Sequence, residues 1–279
     1  NHIIVEHNDD SGSVDEQAYI KKLTSDVRVV SIVHTSPVTG MTVDLEKITK
    51  EVRNVTPDCI IIVDGIQHSS HGAIDVQKYD IDGYVVSPYK MFSRHGYGVA
   101  WASDRLCTLN KEQLTGGPFQ NWELGTRDAG SYATFSDVVD YLDWLGSNFT
   151  ESENTRERLE ASSIAIKSHE QELVDLVING AEDIVGLRNN KKIRIIGNSA
   201  STSREGVVSF FHKNKPSRII VEELRQRKIR VHIRKDDHYC GNILRPLNQK
   251  DCIRFSICHY NSKAEVVEFM KAINEISTN

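Results

Sequence analysis

The stretch from Ile60 to Gly98 constrains the fold of this chain more than any other, because it contains two apolar runs that each end in polar residues. The run from Cys59 to Val63 is short and apolar, which predicts a buried strand of a parallel sheet. Tyr84 to Val86 is a second such run. Ligands of open α/β sheets bind outside the carboxyl ends of the strands, so we expect the polar residues that follow both runs to gather at one edge. These residues are Asp64, Gln67, Ser87 and Lys90.

The four side chains have the chemistry that one cofactor needs. A lysine amine forms a Schiff base with an aldehyde when desolvation or cationic neighbours lower its pKa enough to leave part of it neutral. A carboxylate keeps a pyridine nitrogen protonated, which makes the ring an electron sink, while an amide and a hydroxyl hold a phenolic oxygen and a phosphate. These groups describe a pyridoxal phosphate (PLP) site. In the alternative, Asp64 caps the next segment and Lys90 is a solvated loop lysine, and the spacing alone favours that alternative.

A resemblance to a known family changes this balance. The stretch resembles the core of the class V aminotransferases, the fold-type-I PLP enzymes that include cysteine desulfurases, selenocysteine lyases and isopenicillin-epimerase-like proteins. Their pattern is an apolar strand ending in Asp-Gly/Ala-x-Gln, often a nearby His, then Ser-x-x-Lys and a Gly-containing loop. It stands here as Val63-Asp64-Gly65-Ile66-Gln67-His68, Ser87-Pro88-Tyr89-Lys90 and His95-Gly96-Tyr97-Gly98.

The resemblance implies a role for each matched residue. Lys90 would carry the Schiff base, Asp64 would pair with the pyridinium nitrogen, and Gln67 would contact the ring oxygen. Ser87 would bind the phosphate. Tyr89 departs from the desulfurases, which usually have His directly before the lysine.

Bulk properties exclude several other classes of protein. At 279 residues, the chain is long enough for one or two domains with a sizeable core. A net charge of −5 argues against a nucleic-acid binder, and no apolar run approaches the length needed to span a bilayer. The five cysteines, an odd number without a CxxC pair, favour neither a disulfide framework nor a metal site. No signal peptide is visible, so we expect a reducing, cytoplasmic setting.

The front of the chain predicts the start of a doubly wound domain. We expect a strand at His2 to Val5, a helix near Asp15 to Leu23, and a β-branched strand from Val27 to Val33. An amphipathic helix from Asp44 to Val52 would complete a βαβ unit before the Asp64 strand.

Residues 34–40 resemble the family's His-x-Ser-Asn-x-x-Gly turn near the cofactor. Pro37 stands where desulfurases place Asn, so the hydrogen bond of that Asn is absent here. Ser36 and Thr39 are candidates to replace it. The alternative is a plain turn, since Pro and Gly form turns in any case.

Trp122-Glu123-Leu124-Gly125-Thr126-Arg127 resembles the family's Glu-x-Gly-Thr segment. In relatives this Thr reaches the phosphate of the neighbouring subunit's cofactor. The resemblance therefore makes Thr126 a cofactor-binding candidate and implies a homodimer whose site is shared across subunits. The alternative, a Thr near a helix N-terminus, is compatible with that role.

The remaining elements divide the chain. We expect a large PLP-binding domain over residues 1–130, connecting helices over 131–165, and a small C-terminal α+β domain over 166–279. The predicted elements are a strand at Tyr97–Ala102, a turn at Thr115–Pro118, helices at Ser131–Leu145, Ser152–Ile178, Ser217–Arg227 and Lys263–Ile276, and small-domain strands at Lys192–Ile196, Val207–His212 and Ile229–Ile233.

Two residues of the small domain complete the candidate site. The segment from Ile253 to Ser262 resembles the family's Arg-x-Ser-x-x-x-Tyr-Asn-Thr signature, whose Arg clamps the substrate carboxylate, so Arg254 is the substrate-binding candidate. Cys240 lies where one desulfurase group has a sulfur-attacking cysteine. Those enzymes show Arg-x-Gly-His-x-Cys, whereas Asp237 stands here at the Gly position beside Asp236. Two carboxylates would raise the pKa of the thiol, which slightly favours a non-catalytic Cys240.

The family's glycine-rich phosphate loop and its ring-stacking residue have no counterpart here, because the resemblance begins midway through the large domain. We therefore expect a fold-type-I α/β protein in which these residues belong to a longer chain, the alternative being a degenerate remnant. The resemblance implies a PLP enzyme that acts at the α-carbon of an amino acid and is cysteine desulfurase- or lyase-like. Transamination or epimerisation is the first alternative. A catalytically silent PLP-fold binding subunit is the second, favoured by Pro37 and Asp237 and opposed by Asp64, Lys90 and Arg254.

Overall fold

The computed structural model describes residues 1–10, 12–118, 121–126, 128–198 and 203–278. The chain forms two compact units. The Lys90 unit comprises Tyr19–His34 and Asp44–Ala165, and the Arg254 unit comprises Asn1–Ala18, Thr35–Val43 and Ile166–Asn279. The sequence predicted domains that follow one another along the chain, over residues 1–130, 131–165 and 166–279. This division stays a prediction. The units found here interleave along the chain instead.

The helices and strands agree with most of the expected elements. They are α1 (Glu16–Ile20), β1 (Val29–Val33), α2 (Leu45–Val55), β2 (Ile60–Asp64), β3 (Gly83–Val86), β4 (Val99–Ala102), α3 (Asp104–Cys107), α4 (Ala129–Gly146), α5 (Thr155–Asn179), β5 (Gly180–Ala181), β6 (Ile184–Val185), β7 (Ile193–Ile196), β8 (Val207–His212), α6 (Ser217–Gln226), β9 (His232–Lys235), α7 (Gly241–Leu244), β10 (Asp251–Ser256) and α8 (Lys263–Thr278).

The Lys90 unit is built on a four-stranded sheet in the order β1-β2-β3-β4. The first three strands are parallel, as the apolar runs predicted, and β4 is antiparallel to β3. Strand residues Ile61 and Val63 are fully buried. On α2, Asp44 accepts a hydrogen bond from the Lys47 N–H at 3.0 Å and so caps the helix, whose buried stripe includes Ile48. The predicted βαβ unit is therefore confirmed.

A buried carboxylate ties the elements of this sheet together. Asp82 precedes β3, is 1% exposed and accepts hydrogen bonds from the Ile61 N–H and from Ser103. The guanidinium groups of Arg53 on α2 and Arg105 on α3 pair with it at 3.0 and 2.7 Å. Burial alone would raise the pKa of Asp82, but these donors outweigh it and hold the pKa below its usual range.

The Arg254 unit contains an antiparallel sheet in the order β7-β8-β10-β9. Alternate residues of its strands face two separate apolar clusters. Phe210 and Ile253 lie in the cluster that includes α6 and α8 residues, whereas Phe211 and Cys252 lie in the cluster that includes Cys240 and α7 residues. Because both faces of the sheet are packed, every residue of β8 is buried.

The turn at residues 36–40 belongs to the Arg254 unit, and hydrogen bonds from other residues of that unit hold it in place. Ser209 donates from its hydroxyl to the Val38 carbonyl. Arg204, only 3% exposed, donates to the carbonyls of Thr39, Ile196, Val207 and Asn198. Gly40 has φ +78°, and a Cβ there would collide with the Val207 carbonyl, so the turn requires glycine.

Three expectations about elements differ from the structure. His2 to Val5 forms no strand: it has no ladder partner, and Ile3 and Ile4 are exposed. The strand expected at Ile229 to Ile233 begins only at His232, because Lys228 takes a left-handed conformation (φ +63°) at the end of α6 and the residues after it connect the two elements. The strand β10 was not predicted. It contains the first part of the arginine signature, Ile253 to Ser256.

No helix among the described residues is long and apolar enough to cross a membrane. The five cysteines, all within the described residues, are free.

Candidate active site

The strand ends of β2 and β3 bring Lys90 and Gln67 together. Lys90 Nζ donates to Gln67 Oε1 at 3.2 Å, although the two residues are 23 positions apart. Asp64 is the last residue of β2, and its Oδ1 accepts the Ile66 N–H at 3.0 Å, which fixes the chain as it leaves the strand. Ser87 begins the 3₁₀ turn Pro88–Met91, and the Lys90 N–H donates to its carbonyl at 2.9 Å. The predicted gathering of these residues at one edge of the sheet is found for Lys90 and Gln67.

The amide of Gln67 is held from both sides. Its Nε2 lies 3.1 Å from Nε2 of His71, a residue that is 4% exposed. For the amide to donate to this nitrogen, the ring nitrogen must be unprotonated, and the amide oxygen then faces the Lys90 ammonium. The three side chains therefore form one hydrogen-bonded chain, Lys90–Gln67–His71. Sequence analysis identified the first two members and missed His71.

A cluster of buried rings lies beside this chain. His34 stacks on His68 with ring centroids 3.7 Å apart, and its Nδ1 lies 2.9 Å from the Tyr84 hydroxyl. The Tyr84 ring occupies the space that a side chain at position 65 would need, which explains why glycine follows Asp64. The sequence motifs included His68 and, as the first residue of the turn at 34–40, His34. They gave no signal for the contacts of His34 with His68 and Tyr84, which span 34 and 50 residues.

Thr126 is exposed and lies just before α4, whose N-cap Asp128 accepts the Ser131 N–H. Arg94 pairs with the Asp128 carboxylate, so this turn is anchored to the loop that follows Lys90. The motif's last residue, Arg127, lies outside the described residues. The position of Thr126 is consistent with the expected location near a helix N-terminus.

Arg254 lies on β10, an interior strand of its sheet, and its Nη1 donates to the Pro37 carbonyl at 3.0 Å. The turn at Pro37 is rigid, because the Ser36 hydroxyl accepts the N–H groups of Val38 and Thr39 at 3.3 and 3.1 Å. The candidate substitute Ser36 is thus engaged within the turn itself. The main-chain oxygen of Pro37, rather than a side chain at that position, orients the guanidinium.

Cys240 is completely buried within the apolar cluster of α7 and the sheet. Burial raises the pKa of its thiol, and the Asp237 carboxylate adds to this rise against the opposing charges of Arg234 and Arg254. The expected effect of Asp237 is therefore present, but burial is the larger cause. Asp236 is instead paired with Arg245 at 2.7 Å. A buried thiol with a raised pKa is a poor nucleophile.

The Aminotransferase class-V family model matches residues 2–269, so the chain belongs to this family. Among solved structures it is similar to the apo structure of a cysteine desulfurase from Thermococcus onnurineus NA1. The TM-score is 0.76 at 20% identity, and the match covers 98% of this chain and 65% of that chain. The chain therefore has the fold-type-I α/β architecture that its sequence predicted.

Curated relatives carry two kinds of name. A probable cysteine desulfurase 2 of Mycobacterium leprae is 25% identical over 92% of this chain, and a cysteine desulfurase of Synechococcus elongatus is 26% identical over 97% of it. An aminotransferase-like protein of Gibberella zeae is 26% identical over 91%. The chain spans 58%, 41% and 60% of the lengths of these three relatives.

Proposed function

We propose that this chain acts as a PLP-dependent enzyme at the α-carbon of an amino acid, with cysteine desulfurase-like lyase activity. The observation that carries the proposal is the hydrogen bond of Lys90 Nζ to Gln67 Oε1. Gln67 follows β2, which ends at Asp64, and Lys90 follows the neighbouring strand β3. Family membership supports the same chemistry, and the names of the desulfurase relatives support the branch.

The residues at the strand ends fit this cofactor. They supply an amine, a carboxylate, an amide and a hydroxyl within one pair of loops, which are the groups that an aldehyde, a pyridine nitrogen, a phenolic oxygen and a phosphate need. Pyridoxal phosphate supplies an aldehyde and an electron-withdrawing ring that makes the bonds at the α-carbon of an amino acid labile.

Each residue would perform a limited task. Lys90 would hold the aldehyde covalently and later move the proton at the α-carbon, which requires that its amine be partly neutral. Asp64 would hold the proton on the pyridine nitrogen, and Gln67, oriented by His71, would keep its amide directed at the phenolic oxygen. Ser87 would donate to the phosphate. Arg254, oriented by Pro37, would bind the substrate carboxylate.

Borohydride trapping tests the cofactor and the lysine together. After incubation with PLP, reduction and digestion, we expect a pyridoxyl adduct on the peptide that contains Lys90. Lys90→Ala should abolish this adduct, whereas Lys78→Ala, which removes a lysine of the loop before β3 that is 68% exposed, should leave it intact. An adduct that survives in Lys90→Ala, or one spread over other lysines, would contradict the assignment.

A class V aminotransferase, catalysing transamination or epimerisation, is the second candidate, and the burial of Cys240 favours it. Desulfuration through a persulfide needs an accessible thiolate, whereas transamination and epimerisation need only Lys90 as the proton carrier. Release of sulfide from L-cysteine separates the branches. Full sulfide release by Cys240→Ala would remove this thiol from the mechanism, and amino transfer without sulfide release would establish the second candidate.

We also propose a homodimer in which Thr126 reaches the partner's phosphate site. The exposure of Thr126, Trp122 and Leu124 leaves this segment available for such a contact. Sedimentation of the protein with PLP should show a dimer, and Thr126→Ala should weaken PLP retention without changing the trapping site. A monomer with a complete Lys90 adduct would contradict the shared site.

A further inference from the structure

Two arginines share one face of the sheet in the Arg254 unit. In the β9–β10 ladder, Arg234 lies opposite Cys252 and His232 lies opposite Arg254. Opposite residues of an antiparallel pair, and residues two apart along a strand, point to the same face. Arg234 and Arg254 are therefore diagonal neighbours on the face that also carries Cys252, and such neighbours lie about 7–8 Å apart, with their Cβ atoms somewhat closer.

The Arg234 side chain has no bonded partner among the described residues. Its Nε is buried and makes no hydrogen bond with any described residue. A half-buried guanidinium in this state has lost part of its hydration without a hydrogen bond at Nε in return, which costs free energy. A bound anion would remove that cost.

The neighbouring charges leave this face net positive. Both arginines lie on the face that carries Cys252, and Cys252 packs in one apolar cluster with Cys240 next to α7. The Asp237 carboxylate, whose charge interacts with that of Arg234, is exposed and accepts the N–H groups of Tyr239 and Cys240 at 2.9 and 3.0 Å. The exposed His232 and Arg194 lie on this face as well. Three permanent cations, Arg194, Arg234 and Arg254, therefore lie on this face, and the nearby Asp237 carboxylate is already hydrogen-bonded.

We propose that Arg234 and Arg254 together bind amino acids that carry a second anionic group on the side chain, such as a dicarboxylic amino acid. This inference rests on the proposed function, in which Arg254 binds the α-carboxylate, and it adds Arg234 as the residue that selects the substrate class. The planar forks of the two guanidinium groups suit two carboxylates, one for each arginine.

Calorimetric titration of the 279-residue chain with L-aspartate and L-alanine tests the site without any cofactor. The wild-type chain should bind L-aspartate more tightly than L-alanine. Arg234→Gln should weaken L-aspartate binding by about tenfold or more, because a charge-assisted pair is lost. It should change L-alanine binding by less than about twofold, since Arg254 remains. Arg254→Gln should weaken the binding of both.

Two further variants serve as controls for this titration. Arg225→Gln removes an exposed arginine of α6 that pairs with Glu222 and should leave both affinities unchanged. Arg234→Lys keeps the charge but loses the fork, so its affinity for L-aspartate should be intermediate, and it serves if Arg234→Gln fails to fold. Equal binding of the two amino acids by the wild-type chain, or L-aspartate binding that is insensitive to Arg234, overturns the proposal.

The Lys90 adduct separates this inference from the proposed function. Loss of aspartate selectivity together with an intact Lys90 adduct overturns only the two-arginine site. Arg234-dependent binding of L-aspartate in a protein whose Lys90 never forms the adduct supports the anion site and overturns the PLP chemistry.

Discussion

His212 ends β8 as a fixed hydrogen-bond acceptor. Its Nδ1 accepts the N–H groups of Asn214 and Lys215 at 3.1 and 2.9 Å, so this nitrogen carries no proton in the folded chain. Burial and the charges of Lys192 and Lys215 lower the pKa of the ring below its ordinary value of about 6.5. The folded state therefore holds a neutral imidazole where the unfolded chain would readily accept a proton.

We expect this residue to make the free energy of unfolding depend on pH. The stabilisation is present above about pH 6.5 and is lost as the pH falls below it, because only the unfolded chain then binds the proton. His212→Asn keeps an acceptor oxygen but cannot titrate. Denaturant unfolding at about pH 7.5 and pH 5.5 should show a larger fall for the wild-type protein than for the variant. Equal falls would show that the ring does not control this loss.

Some residues of the candidate site could be predicted from the sequence and others could not. Lys90 and Gln67 could be predicted because each follows an apolar run within a few positions, so local order places them at a strand end. His71 also follows the first run, but nothing local shows that its ring binds the Gln67 amide. Tyr84 lies within a strand, where an aromatic residue predicts only core packing. Its contact with His34 depends on the register of three strands.

Among the elements, the packing of β3 against β2, α2 and α3 depends on the buried carboxylate of Asp82. Asp82→Asn would leave the partly buried guanidinium of Arg53 without its main counter-charge, so we expect the free energy of unfolding to fall by about 3 kcal/mol. Asp80→Asn is the matched control, because Asp80 pairs with the same arginine but is 71% exposed, and we expect a change of at most about 1 kcal/mol. Chemical denaturation measures both values. Similar losses for the two variants would mean that burial of the pair is unimportant.

The turn at residues 36–40 depends in the same way on Arg204. Burial lowers the pKa of this guanidinium to about 10, and four main-chain carbonyls accept its hydrogen bonds. Arg204→Lys has too few donors for these carbonyls, so we expect a loss of about 2–4 kcal/mol in the free energy of unfolding. Because Pro37 orients Arg254, the affinity for L-alanine should fall as well. Unchanged stability would contradict this role for Arg204.

Element boundaries were predictable where a local signal marks them and not elsewhere. Asp44 caps α2 within one residue of its expected start, because a capping side chain is a property of the local sequence. The start of β9 and the absence of a strand at His2 to Val5 depend on whether a neighbouring strand supplies hydrogen bonds, which the local sequence does not encode.

At the scale of the whole molecule, the motifs predicted the family, and the family determines the fold. They did not predict that residues 35–43 pack with the C-terminal sheet, because the contacts of Arg204 and Ser209 with this turn span more than 160 residues. They also left the role of Cys240 open. That role depends on burial, which is a property of the folded chain rather than of the motif around the cysteine.

Thiol labelling of the native protein tests this burial across the molecule. Cys59, Cys240 and Cys252 have no exposed surface, whereas Cys107 and Cys258 are partly exposed. A disulfide reagent that releases a coloured thiolate should react first with Cys107. Cys258 should follow more slowly, because burial raises the pKa of its thiol and so reduces its thiolate fraction. The three buried thiols should react only through opening of their units, at rates that rise with denaturant.

The variant Cys107→Ser is the control for this experiment, because it should remove the fastest phase and leave the protected thiols unchanged. Mass spectrometry of the labelled peptides then assigns each phase to a cysteine. If Cys240 reacted in the native protein at the rate of Cys107, the thiol would be accessible, and a nucleophilic role in sulfur transfer would become the better interpretation. Protection of Cys240 until the unit opens would instead assign it to the core that supports Arg254 and Arg234.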